Sequence, residues 1–173
     1  TQKKRTKYGS ETRFTWCVCL NSLILRRRNM TDHLRDKYQQ TKYREQSQSQ
    51  NKESQHVSHI VSLEIGNKID SHVTGPTASS TKEGLNSFSN FYMVNANTNL
   101  SDHKKLDASI SYKMDNGGTL TSREEARVAL QVQQIQQSPD YTNAFKESAK
   151  ELYKNLDTSS GKTAWDDRKT KYN

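Results

Sequence analysis

Ten residues, HVSHIVSLEI (56–65), carry the strongest constraint on how this chain can fold. Val57, Val61, Leu63 and Ile65 fall on odd positions, the period-two pattern of a strand with one buried face. Such a strand needs a partner. The next stretch with the aromatic and β-branched residues to supply one is NFYMVNA, Asn90 to Ala96. Between them, GNKIDSHVTGPTASSTKEGLNSFS reads as a long loop of Gly, Pro, Ser and Thr. Hydrophobic residues make up only 30% of the 173, enough for one small core but not for a large enzyme barrel.

The remaining elements read as helices. Thr31 to Tyr43 suits a short charged helix with Thr31 or Asp32 as its N-cap, and Arg44 to Gln55 a Gln/Ser-rich linker. A helix over NLSDHKKLDASISYKM starts at Thr98 or Asn99 and stops at Asp-Asn-Gly-Gly. TSREEARVALQVQQIQQ opens with a capping box, Ser122 with Glu125, and buries Val128, Val132 and Ile135 along one stripe. Ser138-Pro139 suits the start of a last helix, whose buried face would carry Phe145, Ala149, Leu152 and Leu156. The fold expected is α+β: two short strands, a long loop and a helix as core, with two or three further helices packed on it. The chain then divides into a basic leader or non-native extension (1–29), a helix and linker (30–55), the α+β domain (56–157) and a polar tail (158–173).

Charge is unevenly placed. Residues 1–29 hold eight Lys or Arg against the single acid Glu11, which accounts for seven of the eight net positive charges. The domain itself is nearly neutral, so any general pull on phosphates would come from the basic arm. Phe14 to Leu25 is apolar but too short to span a bilayer. Cys17 and Cys19, two residues apart, supply neither a disulfide framework nor a zinc site. The segment GPTASSTKEG (75–84) has no Gly-Lys-Ser/Thr and so is not a phosphate-cradling loop, and the aromatic residues are too dispersed for a single-strand stacking platform.

Chemistry concentrates around the two strands. His59 heads HIV in the first strand, Asn90 opens the second, Asn99 follows nine residues later, and His103 lies four beyond it. An i, i+4 pair shares one helical face, so Asn99 and His103 can address one ion. A general base at a hairpin end, a residue pinning the loop behind it and ligands on a facing helix are the parts of a metal-dependent phosphodiesterase. Plainer roles suit the same residues: a backbone-bonded strand-edge His59, an exposed His56, a turn at Asn90, a helix cap at Asn99 and a solvated His103.

The segment HVSHIVSLEIG…GLNSFSNFYMVNANTNLSDHKK, under a third of the chain, resembles the HNH endonucleases, also called His-Me finger or ββα-metal nucleases. The resemblance implies His59 as general base and Asn90 as the residue that orients it. It implies Asn99 and His103 as metal ligands, with Lys104 and Lys105 placed to meet a nucleic-acid backbone. The position before the base is usually Asp or His and here is Ser58, with His56, two residues back, as a substitute ligand. Implied with these are a DNA or RNA substrate and a divalent cofactor, Mg²⁺ first, with Mn²⁺, Ni²⁺ or Zn²⁺ as alternatives. The other function open to the sequence is a catalytically inactive HNH-like, or unrelated α+β, binding or structural protein.

Overall fold

A computed structural model describes residues 30–73 and 78–167. The expectations for the basic arm and its cysteines, for the Gly-Pro turn of the long loop and for the last six residues lie outside the described residues. Leu34 onward forms one compact unit. Among the described residues it holds six α-helices and two two-stranded sheets, so the fold is α+β and mostly helical.

The first sheet pairs β1 (Gln55–His59) with β2 (Phe91–Asn95), antiparallel, Gln55 opposite Asn95 and His59 opposite Phe91. β1 is shorter than its alternation suggests. The chain turns at Ser62, whose hydroxyl accepts from Ile65 N at 3.3 Å and caps a helix, α2 (Leu63–Ser71). Leu63, Ile65 and Ile69 serve a helix face as well as a strand face, and a short apolar run does not distinguish the two by period. The cap decides it. The expected long loop therefore contains the greater part of α2, from Gly66 on, and a further helix, α3 (Ala78–Leu85). These two approach closely at Gly66, where a Cβ would sit 2.5 Å from Leu85 Cδ1.

On the N-terminal side, α1 (Lys37–Gln46) starts later than the sequence suggests, with Asp36 accepting from Gln39 N at 3.0 Å. After β2, a π-helical turn (Thr98–His103) runs into α4 (Lys104–Asn116), which ends at Gly117 with φ +72°. The capping box of α5 (Ser122–Gln137) lies one residue earlier than expected: Thr121 N donates to Glu124 Oε2 at 2.7 Å, and Thr121 Oγ1 accepts from Glu124 N. Ser138 closes α5 instead of opening the next helix, and α6 (Asn143–Tyr153) is capped by Thr142.

β3 (Gly118–Thr119) and β4 (Leu156–Asp157) form a short parallel pair. The core runs through Ile65, Ile69, Leu85, Ile110, Met114, Val128, Val132, Ile135, Phe145 and Leu152, all buried. The segment expected as a polar tail contributes to it. Ala164 N donates to Leu156 O at 2.8 Å, turning the chain back so that Ala164 and Trp165 are buried in the same cluster.

Candidate functional site

Successive residues of a strand take opposite faces, and the β1–β2 register assigns the candidates to two of them. Ser58 lies opposite Tyr92, and His59 lies opposite Phe91. On the first face the Ser58 hydroxyl donates to Asn99 Oδ1 at 2.9 Å, and Tyr92 Oη meets His103 Nδ1 at 3.0 Å. On the second face the His59 ring packs edge-on to Phe91 at 5.0 Å, and Phe91 in turn meets Tyr43 of α1 at 5.4 Å. The hairpin thus has a polar side toward the start of α4 and an aromatic side toward α1. His56 shares the polar face with Ser58 by alternation.

His59 is the last residue of β1 and 8% exposed. Its Nε2 is buried without a hydrogen-bond partner. Burial pulls the imidazole pKa down to about 4; the Asn86 side chain acts in the opposite direction, and the Arg35 and Arg127 charges lower it further. The ring is neutral at pH 7, with a lone pair in the protein interior.

Asn90 is fully buried at the end of a 3₁₀ turn (Phe88–Asn90). Its carboxamide holds both backbone groups of Val61: Oδ1 accepts from Val61 N at 2.9 Å and Nδ2 donates to Val61 O at 3.1 Å. Nδ2 also donates to Leu85 O at 2.8 Å, and Asn90 O accepts from Ile60 N at 2.8 Å. One side chain therefore fixes the turn that leaves His59, where loop backbone would otherwise be buried unpaired.

A buried network from α5 joins the two strands to α4. Arg127 Nε and Nη2 both reach the Asp107 carboxylate at 3.0 Å. Nη2 also donates to His59 O, and Nη1 to Tyr92 Oη, each at 3.1 Å. Gln131 donates to Asp107 at 2.9 Å and accepts from Tyr153 Oη at 2.8 Å. Burial works against the Arg127 charge, but Asp107 and Tyr92 outweigh it and its pKa is raised. His103, half-buried, has its pKa lowered by burial and by Arg127.

Of the residues expected from sequence, the structure brings Asn99, His103 and Ser58 to one end of the hairpin. It sets Asn90 behind His59 and leaves Lys104 and Lys105 exposed on the first turn of α4. It turns the His59 ring to the other face. Tyr92, Arg127 and Asp107 were not singled out in the sequence. Arg127 had a signal, because Glu124, Arg127 and Gln131 recur at helical spacing beside the buried Val128–Val132–Ile135 stripe. Charged and amide groups at that place need buried partners.

A divalent ion needs oxygen or nitrogen lone pairs, preferably charged. Among the described residues no three His, Cys, Asp or Glu gather in a way that could hold one. What this face offers is the second lone pair of Asn99 Oδ1, whose first accepts Ser58, and His56 on the same face. A carboxamide oxygen and an imidazole, with no carboxylate beside them, make no resident cage. No family model, curated protein or solved structure matches the chain.

The depressed His59 pKa makes stability pH-dependent. Between pH 6.5 and about 4 the unfolded chain binds a proton that folded His59 refuses, so stability falls as pH drops through that window. The loss attributable to His59 is roughly 3 kcal/mol once pH is below about 4. Glu124 adds a second, lower step. Burial pushes its carboxyl up, but hydrogen bonds from Lys113, Ser109 and Thr121 hold it at about 2, so its contribution is lost below the ordinary value of 4.5. Urea midpoints measured from pH 7.5 to 4 are expected to decline, with a shallower decline in His59→Gln. A pH-independent wild-type midpoint would contradict the buried neutral imidazole.

Proposed function

We propose that this chain is an HNH-like domain that hydrolyses phosphodiester bonds in DNA or RNA with the help of a divalent ion, Mg²⁺ before Mn²⁺, Ni²⁺ or Zn²⁺. The observation that carries the reading is the Asn90 clasp. A carboxamide directly before β2 holds both backbone groups of Val61 and so sets the turn behind His59. Support comes also from the order of parts: strand, inserted segment, antiparallel strand, then a helix whose Asn99 meets Ser58 at the end of β1.

In this reading the neutral His59 takes the proton of the attacking water as its oxygen bonds to phosphorus, a step that requires its ring to leave the Phe91 face on which Nε2 is buried. The P–O bond on the far side breaks and its oxygen leaves with the electron pair. Asn90 holds the turn behind His59 through the backbone of Val61, Asn99 and His56 would hold the ion, and Lys104 and Lys105 meet flanking phosphates. The ion, when bound, supplies charge neutralisation at the phosphoryl oxygens.

A second reading, a catalytically silent HNH-like domain that binds without cleaving, is favoured by one specific observation. His59 is enclosed against Phe91 on the face away from Asn99, and Ser58 stands where a charged ligand would strengthen the ion site. Incubation of the full chain with plasmid DNA and with RNA, with and without each divalent ion, separates the two. Hydrolysis is expected to require an ion and to fall about 10²–10⁴-fold in His59→Ala. Activity that survives that substitution undiminished, or no activity with any ion, leaves the second reading.

A further inference from the structure

We propose that His103 is a hydrogen-bond donor to a phosphodiester oxygen, presenting Nε2–H from the start of α4, and that Tyr92 and Arg127 are the positioning residues that fix it so. The direction of the hydrogen-bond chain carries this. A guanidinium has donors only, so the contact of Arg127 Nη1 with Tyr92 Oη at 3.1 Å occupies a lone pair of that hydroxyl. The hydroxyl proton then needs an acceptor. Its other partner among the described residues is His103 Nδ1, at 3.0 Å. An O–H directed into Nδ1 leaves the imidazole proton on Nε2.

Nε2 makes no hydrogen bond among the described residues, and the ring is half-buried beside the exposed Lys104 and Lys105. The neighbouring acid, Asp102, is directed to Arg123 at 3.6 Å. An N–H on a half-buried ring, followed in the chain by two exposed cations, suits an anionic oxygen. A metal ion would need a lone pair at that nitrogen, so His103 differs from the ligand its spacing from Asn99 implies. The identity of the partner rests on the phosphodiester reading above; the proton arrangement does not.

The test uses the full chain labelled with ¹⁵N, in EDTA at pH 7.5. Long-range ¹H–¹⁵N spectra of the imidazoles are expected to show His103 protonated at Nε2 and bare at Nδ1, shifting toward a tautomer mixture in Tyr92→Phe. Fluorescence anisotropy with single-stranded DNA and RNA oligonucleotides is expected to show about tenfold weaker binding for His103→Leu. His103→Gln, which keeps an N–H donor, is expected to stay within about threefold of wild type. His103 protonated at Nδ1, equal affinity in His103→Leu, or no binding of either oligonucleotide overturns the proposal. The correct tautomer with His103-dependent binding, but no hydrolysis with any ion, upholds it and removes the nuclease reading. Ion-dependent hydrolysis with an Nδ1-protonated His103 does the reverse.

Discussion

Arg127→Met is expected to destabilise the domain by about 3–5 kcal/mol. The guanidinium and the Asp107 carboxylate are each about 5% exposed and joined by two hydrogen bonds of 3.0 Å, so removing one leaves the other as a buried, uncompensated charge. Gln131 remains beside Asp107 but offers a single neutral donor. The same substitution unties His59 O and Tyr92 Oη, which lie in different strands. Urea denaturation provides the measurement, and Arg127→Met combined with Asp107→Leu provides the control. Removing both charges is expected to restore much of the loss, because an apolar pair of similar volume avoids the desolvation penalty. A single-variant loss below about 1 kcal/mol would mean that the network is more hydrated than its geometry indicates.

Asn90→Ala is expected to be of similar size, about 3–5 kcal/mol, for a different reason. No charge is involved. The substitution strands Val61 N, Val61 O and Leu85 O, backbone groups that the Asn90 side chain satisfies. Each buried unpaired group costs about 1–3 kcal/mol. Asn90→Asp is expected to do no better, since an oxygen would then face two carbonyl oxygens in place of the Nδ2 donor. Asn95→Asp, exposed and still able to accept from Asn97 N, is the matched control and is expected to stay within about 0.5 kcal/mol of wild type. Thermal and urea unfolding check both. A stable Asn90→Asp variant would remove the clasp as the basis for the proposed function.

Much of the hairpin was legible from the residues. The second strand, the apolar stripe of α5 and Phe145, Ala149 and Leu152 on the buried face of α6 follow from periodicity and appear as expected, whereas Leu156, expected on that helix, lies beyond its end in β4. The inserted segment was not legible as helix, because Gly, Ser and Thr are poor helix formers. α2 and α3 depend on tertiary partners: the buried faces of Leu63, Ile65 and Ile69, and a Gly66 small enough to let Leu85 approach. The caps slipped by one to several residues because neighbouring Thr, Ser and Asp are equally good caps and packing chooses among them. Asn90 and Asn99 could be marked from spacing. The face taken by His59 could not, since it depends on which residue opposes it across the ladder. Arg127, 68 residues away in sequence, has no local pattern tying it to His59.

Pairing β1 with β2 closes a loop made of residues 60–90, and a two-stranded sheet alone is marginal in water. The segment that bears the HNH-like letters is therefore not a self-sufficient module. The chain that joins its strands folds as α2 and α3 against the core, and α5 supplies the guanidinium that bonds to both strands at that end. The smallest piece of this chain able to carry the site thus extends through α5, well past the residues that make it recognisable.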